Sequence, residues 1–74
     1  MENKMAMMNM QVRALHRWEF VFDEQTGNYF GQFDDVKLYW NLKLQTGVMI
    51  IDDDSLEFIN WDTLDEVMQQ TYMY

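Results

Sequence analysis

The chain has no cysteine, which removes disulfide staples and thiolate metal sites. It has no proline, so no stretch is barred from a helix interior or a central strand. Its three glycines, Gly27, Gly31 and Gly47, never cluster, which excludes a glycine-rich phosphate loop. One histidine, His16, and one serine, Ser55, leave little from which to build a nucleophile and its base. No apolar run exceeds four residues, against the roughly 20 a bilayer span needs. The methionine-rich start is broken by Asn9 and Gln11 and does not read as a secretory signal. A soluble cytoplasmic protein is the expectation.

Base is also missing from one end. Residues 1–44 hold six acids and five bases, whereas residues 45–74 hold seven acids and no Lys, Arg or His. Nearly all of the net charge of −8 therefore sits in the last 30 residues. Such a field repels nucleic acid and anionic membranes and attracts basic protein surfaces.

What is present is apolar and aromatic. Twelve of 74 residues are Phe, Trp or Tyr, too many for a disordered chain and a heavy load for so small a fold to hide. At this size a lone core is marginal, and surplus aromatic surface favours an interface with another chain.

Two Thr-Gly pairs, Thr26-Gly27 and Thr46-Gly47, read as hairpin turns between apolar runs. Over residues 10–23 Met10, Val12, Ala14, His16, Trp18, Phe20 and Phe22 share one parity, which predicts a long first strand. A helix over residues 5–15 competes, because Met5, Met8, Val12 and Leu15 fit helical spacing. Residues 28–33 predict a second strand. Residues 36–45 predict a third, with Val36, Leu38, Trp40, Leu42 and Leu44 facing one way. Residues 48–51 and 56–59 predict two more, with a turn over 52–55. Thr63 and Glu66 fit a capping box opening a helix whose stripe is Leu64, Val67, Met68, Thr71 and Tyr72. A longer helix from Ser55 fits the same phase.

The expected fold is α+β: an antiparallel β-meander of four to five strands with one C-terminal helix on a face, or a small half-open barrel as the variant. Residues 1–9 read as a methionine-rich mobile tail and residues 10–74 as a single βββββα domain.

Functional candidates follow from charge. Asp52, Asp53, Asp54 and Glu57 gather at the predicted last turn, and Asp62, Asp65 and Glu66 at the helix start. Turn and capping chemistry explain much of this acid locally. An EF-hand register fails, because Glu57 stands where glycine belongs and Thr63 where a bidentate Glu belongs, so no metal is assigned. In a meander the Asp34-Asp35 turn shares an end with Asp52, so these acids add a third focus. If residues 56–59 are a strand, the turn and the helix start stand roughly 13 Å apart. Trp61, between Asn60 and Asp62, reads as a hydrophobic staple or as an aromatic anchor ringed by charge.

The expectation is therefore binding, not turnover, with no cofactor. Its leading form is a small acidic inhibitor or regulator of a basic, nucleic-acid-handling protein, acting as a nucleic-acid mimic. In size and charge alone the chain resembles phage and mobile-element inhibitors. The alternative is a structural or auxiliary subunit that forms a homo-oligomer through aromatic surface and strand edges.

Overall fold

The structure, a computed structural model, describes residues 2–52 and 55–72. The elements run α1 (Glu2–Arg17), β1 (Val21–Asp23), β2 (Asn28–Phe33), β3 (Val36–Asn41), β4 (Thr46–Ile51), β5 (Ser55–Ile59) and α2 (Trp61–Tyr72). The five strands form one open antiparallel sheet in sequence order, a meander, with α2 packed on one face.

Turn chemistry sets the register. Four residues, 24–27, join β1 to β2. The Gly27 amide donates to the Asp23 carbonyl at 2.8 Å, and Gly27 takes φ +77°, a conformation glycine adopts without strain. Only Asp34 and Asp35 join β2 to β3, and Asp34 sits left-handed at φ 55°. Aspartate tolerates that region better than most side chains.

The sequence expectation fails on the β3–β4 turn. Thr46 and Gly47 lie inside β4, and the chain reverses earlier, at residues 42–45. Leu42 and Leu44 therefore leave the strand pattern, and Leu44 is 70% exposed. Gly47 has a different task. A Cβ there would stand 2.5 Å from the Tyr39 carbonyl oxygen and 2.6 Å from the Trp40 ring. Gly47 lies directly opposite Trp40, so the missing side chain is the space the indole fills.

The larger correction concerns the N-terminus. Most of the expected first strand is helix, and the expected tail of residues 1–9 falls, from Glu2 on, within that helix. Parity had placed Met10 and His16 inside and Gln11 outside. In fact Gln11, Ala14, Leu15 and Trp18 are buried, whereas Met10 and His16 are exposed. That spacing is helical. The segment ENKMAMMNMQVRALHR is rich in strong helix formers and carries one β-branched residue, so propensity and burial agree against the alternation.

A Schellman motif stops α1. Glu19 is left-handed at φ 66°; its amide donates to His16 O at 3.0 Å, and the Phe20 amide donates to Leu15 O at 2.9 Å. Phe20 then enters the core beside Leu15.

The core lies between the helices and one sheet face. It joins Ala14, Leu15 and Trp18 to Leu38, Trp40 and Ile59, and to Leu64 and Met68 of α2. All three tryptophans meet there: Trp61 stacks on Trp18 at 5.5 Å and meets Trp40 edge-on at 5.3 Å. Among the described residues no helix is long and apolar enough to cross a membrane.

Candidate functional site

Both helices pack on the face carrying Tyr29, Leu38, Trp40 and Ile59, and among the described residues none covers the other face of the sheet. Direct cross-strand partners share a face. Following the register, Val21 of β1 lies beside Phe30, Phe30 beside Tyr39, Tyr39 beside Val48, and Val48 beside Phe58. One unbroken apolar row therefore crosses all five strands on the uncovered side.

Its ends are bare: Val21 is 67% and Phe58 78% exposed. Its centre is held by a ring contact between Phe30 and Tyr39, with centroids 5.0 Å apart, a tilted pair of the kind that adds about 0.5–1.5 kcal/mol beyond area burial. On one side of the row lie Ile50 and Leu56, directly paired, with Leu56 57% exposed. On the other side runs a polar line, Asp23, Asn28, Asn41 and Thr46. Within it the Asn41 amide donates to Asn28 Oδ1 at 3.0 Å, and Asn41 Oδ1 accepts from the Leu44 amide at 2.8 Å.

Two open depressions flank Tyr39. One, of about 310 Å³, is bordered by Val21 and Phe30; the other, of about 250 Å³, by Val48 and Phe58. Thr26, Asn28 and Tyr39 line both and form the ridge between them. The strand positions on this face carry two charges, Asp23 and Lys37.

The acidic residues do not make one patch. Asp34 and Asp35 do meet Asp52 at one end of the sheet, where the Asp52 amide donates to the Asp35 carbonyl at 3.4 Å. Asp53 and Asp54 lie outside the described residues. β5 then carries the chain away from that end. Ser55 pairs with Ile51 near the acids, and Ile59 pairs with Gly47 at the far end. Asp62, Asp65 and Glu66 follow at the start of α2, separated from the first group by the length of β5, roughly 13 Å. Glu57 is exposed midway, on the helix-bearing side opposite Met49. Asp65 accepts a hydrogen bond from Gln69 Nε2 at 3.1 Å, an internal helix contact.

Local geometry also reassigns three residues. The cap of α2 is Asn60, whose Oδ1 accepts from the Thr63 amide at 2.8 Å; Thr63 is the third helical residue, not the cap. Ser55 opens β5, so the longer helix from Ser55 does not form. Trp61 is half-buried against Trp18 and Trp40, which makes it a joint between elements. It is neither a staple ahead of a Thr63 cap nor a freely displayed anchor.

The open row escaped sequence reasoning because it is assembled by register. Two signals pointed towards it: Tyr39 stands between Lys37 and Asn41 on the polar parity of β3, and residues 48–51 are apolar on both parities.

No protein-family model matches this chain, and neither the curated proteins nor the solved structures yield a significant match to it.

Proposed function

We propose that this protein acts by stoichiometric binding, with the open sheet face covering an apolar protein surface whose surroundings are basic. The observation that carries the reading is the cross-strand row from Val21 to Phe58, left bare by two helices that both pack on the opposite face. A contiguous apolar patch rimmed by polar groups is a protein-interaction feature, and single exposed apolar residues are not. Phe30, Tyr39 and Phe58 supply the aromatic centre such interfaces use.

Charge selects the partner. Aromatic sheet faces also stack nucleic-acid bases, but those faces sit in basic grooves, and this chain carries −8. The acids at 34, 35 and 52 stand at one end of the sheet and would steer a basic surface towards it. A nucleic-acid-handling protein offers such a surface, and regulating or inhibiting it is the form of binding this reading favours. Mimicry of a phosphate array draws less support, since the acids divide between two ends of the molecule.

A specific observation favours a second reading. β5 is an edge strand, and Leu56 and Phe58 stand exposed on it. An uncovered apolar edge pairs readily with another chain, as in a structural or auxiliary subunit that assembles with itself.

The test uses immobilised wild-type protein and a Phe58→Glu variant, each equilibrated with cell extract at low and high salt. The proposal expects basic proteins retained by wild type, released as salt rises and lost with the variant. Equal retention by both forms would move the site off this face.

A further inference from the structure

β5 ends the sheet on the side away from β1. In an antiparallel ladder alternate residues turn their N–H and C=O away from the neighbouring strand, so an edge strand presents unpaired backbone. Among the described residues, Ser55–Ile59 make no hydrogen bond outside the β4–β5 ladder. Ser55, Leu56, Glu57 and Phe58 are exposed, and only Ile59 is buried. The opposite edge offers less. β1 is three residues long, and so short a strand gives few rungs to pair with.

The two sides of this edge differ. Leu56 and Phe58 project on the open face. Glu57, between them, projects to the helix-bearing side and is exposed there. Its charge therefore lies on the edge itself, at the middle of the five residues of the strand. The chain around it has the same sign: Asp52 to Glu66 holds seven acids and no base. A second copy fits such an edge poorly. Two β5 strands related by a two-fold axis and paired over their full length set Glu57 directly opposite Glu57, and like charges so placed are destabilising. Centring the pair on Leu56 or on Phe58 avoids this, but pairs three residues of each strand instead of five. A strand with a base between two apolar residues has neither fault. Its base lies opposite Glu57, and its apolar residues lie beside Leu56 and Phe58, carrying the open face on by one strand. The charge that turns away a second copy thus admits a basic segment, and specificity is that difference.

Resting on the reading of this protein as a binder of basic protein surface, we propose that β5 takes up an extended segment of the partner as a sixth strand. Glu57 selects a segment with arginine or lysine between two apolar residues. Main-chain hydrogen bonds along the edge hold the segment, and Glu57 sets which segment is held.

Amide shifts in NMR titrations of the full chain test this with two blocked peptides as probes. One peptide has arginine between two valines, flanked by threonines; the other has glutamate in place of the arginine. The arginine peptide is expected to shift the amides of residues 55–59 and to bind about threefold or more tighter than the glutamate peptide. That advantage should shrink as salt rises. Glu57→Arg should reverse the preference. Glu57 is exposed, and circular dichroism checks that the fold persists. Should the variant fail to fold, the wild type decides alone, by its peptide preference and by where its amides shift. No binding up to about 1 mM overturns the inference. So do equal affinities for the two peptides, shifts centred on β1 or on Tyr39, and a wild type that self-associates through β5 in sedimentation velocity. Extract proteins lost with Phe58→Glu but kept by Glu57→Arg, with no peptide preference, would sink this inference and leave the function proposed above standing. Peptide preference that follows Glu57, with no basic protein retained from extract by the wild type, would do the reverse.

Discussion

Gln11 of α1 and Gln45 of the β3–β4 turn exchange two side-chain hydrogen bonds, Gln11 Nε2 to Gln45 Oε1 at 2.9 Å and Gln45 Nε2 to Gln11 Oε1 at 2.7 Å. Gln45 Nε2 also donates to the Leu42 carbonyl at 2.8 Å. Gln11 is fully buried, so the pair satisfies an amide that water cannot reach. Truncating Gln11 to Ala leaves the Gln45 amide short of a partner and is expected to cost about 1–3 kcal/mol. A double-mutant cycle with Gln45→Ala should show a coupling of about 0.5–3 kcal/mol by urea denaturation. Additive losses would mean the two amides do not support each other.

The Schellman stop of α1 places a side chain where glycine is favoured. Glu19→Gly relieves the left-handed strain at φ 66° but loosens the unfolded chain. The relief is about 1–2 kcal/mol and the entropic cost about 0.4–1 kcal/mol, so a net gain of up to about 1.5 kcal/mol is expected. Thermal unfolding should show a higher Tm. Replacement by a β-branched residue, Glu19→Val, should lower it.

Two glycines separate soft from hard crowding. A Cβ at Gly31 would meet the Phe20 ring at 2.8–2.9 Å, a buried side chain rather than backbone. A Cβ at Gly47 would meet the Tyr39 carbonyl oxygen at 2.5 Å, which is backbone fixed by the β3–β4 ladder. Gly31→Ala is therefore expected to cost about 1–3 kcal/mol, as overpacked cores do, and Gly47→Ala more. Chemical denaturation of both variants ranks them, and the reverse order would contradict the geometry.

The cap of α2 separates a motif from a geometry. Asn60→Ala should lose about 1 kcal/mol, because it strips the acceptor from the Thr63 amide. Thr63→Ala should lose less, although Thr63 with Glu66 fits the capping-box pattern. Helix content by circular dichroism and midpoint shifts in urea read the difference.

What could be read from the chain divides along the range of the interaction. β2 was legible in full because its ends are fixed by local turn chemistry at Gly27 and Asp34. β5 and the meander order followed from short loops in the same way. The leading reading of residues 10–22 as a strand fails because their alternation mimics one; the competing helix over residues 5–15 is the one that forms, as its propensity favours, and burial of Gln11 against Gln45 fixes its phase. The β3–β4 turn was misplaced because Gly47 looks like a turn glycine, whereas Trp40, seven residues away, is what requires it. The acids at 34, 35 and 52 were correctly brought to one end. The open row was not seen, because no local pattern links Val21 to Phe58.

If that row binds a basic partner, the two acidic groups should behave differently. Replacing Asp34, Asp35 and Asp52 by Asn keeps side chains that tolerate the left-handed φ of 55° and 58° at Asp34 and Asp52. It removes three charges at the end of the open face. Relief of self-repulsion should leave stability unchanged or slightly higher. Association with a basic partner should slow, with a smaller salt dependence of kon, while koff changes little. Asp62→Asn with Asp65→Asn lies roughly 13 Å away at the start of α2. It should lower stability by about 0.3–1 kcal/mol per charge lost near the helix N-terminus and leave kon less affected. Surface plasmon resonance of the two variants against one basic partner decides the matter. An equal loss of kon from both would return the acidic residues to a single functional field, and a larger loss from the α2 pair would take the contact to the helix-bearing side.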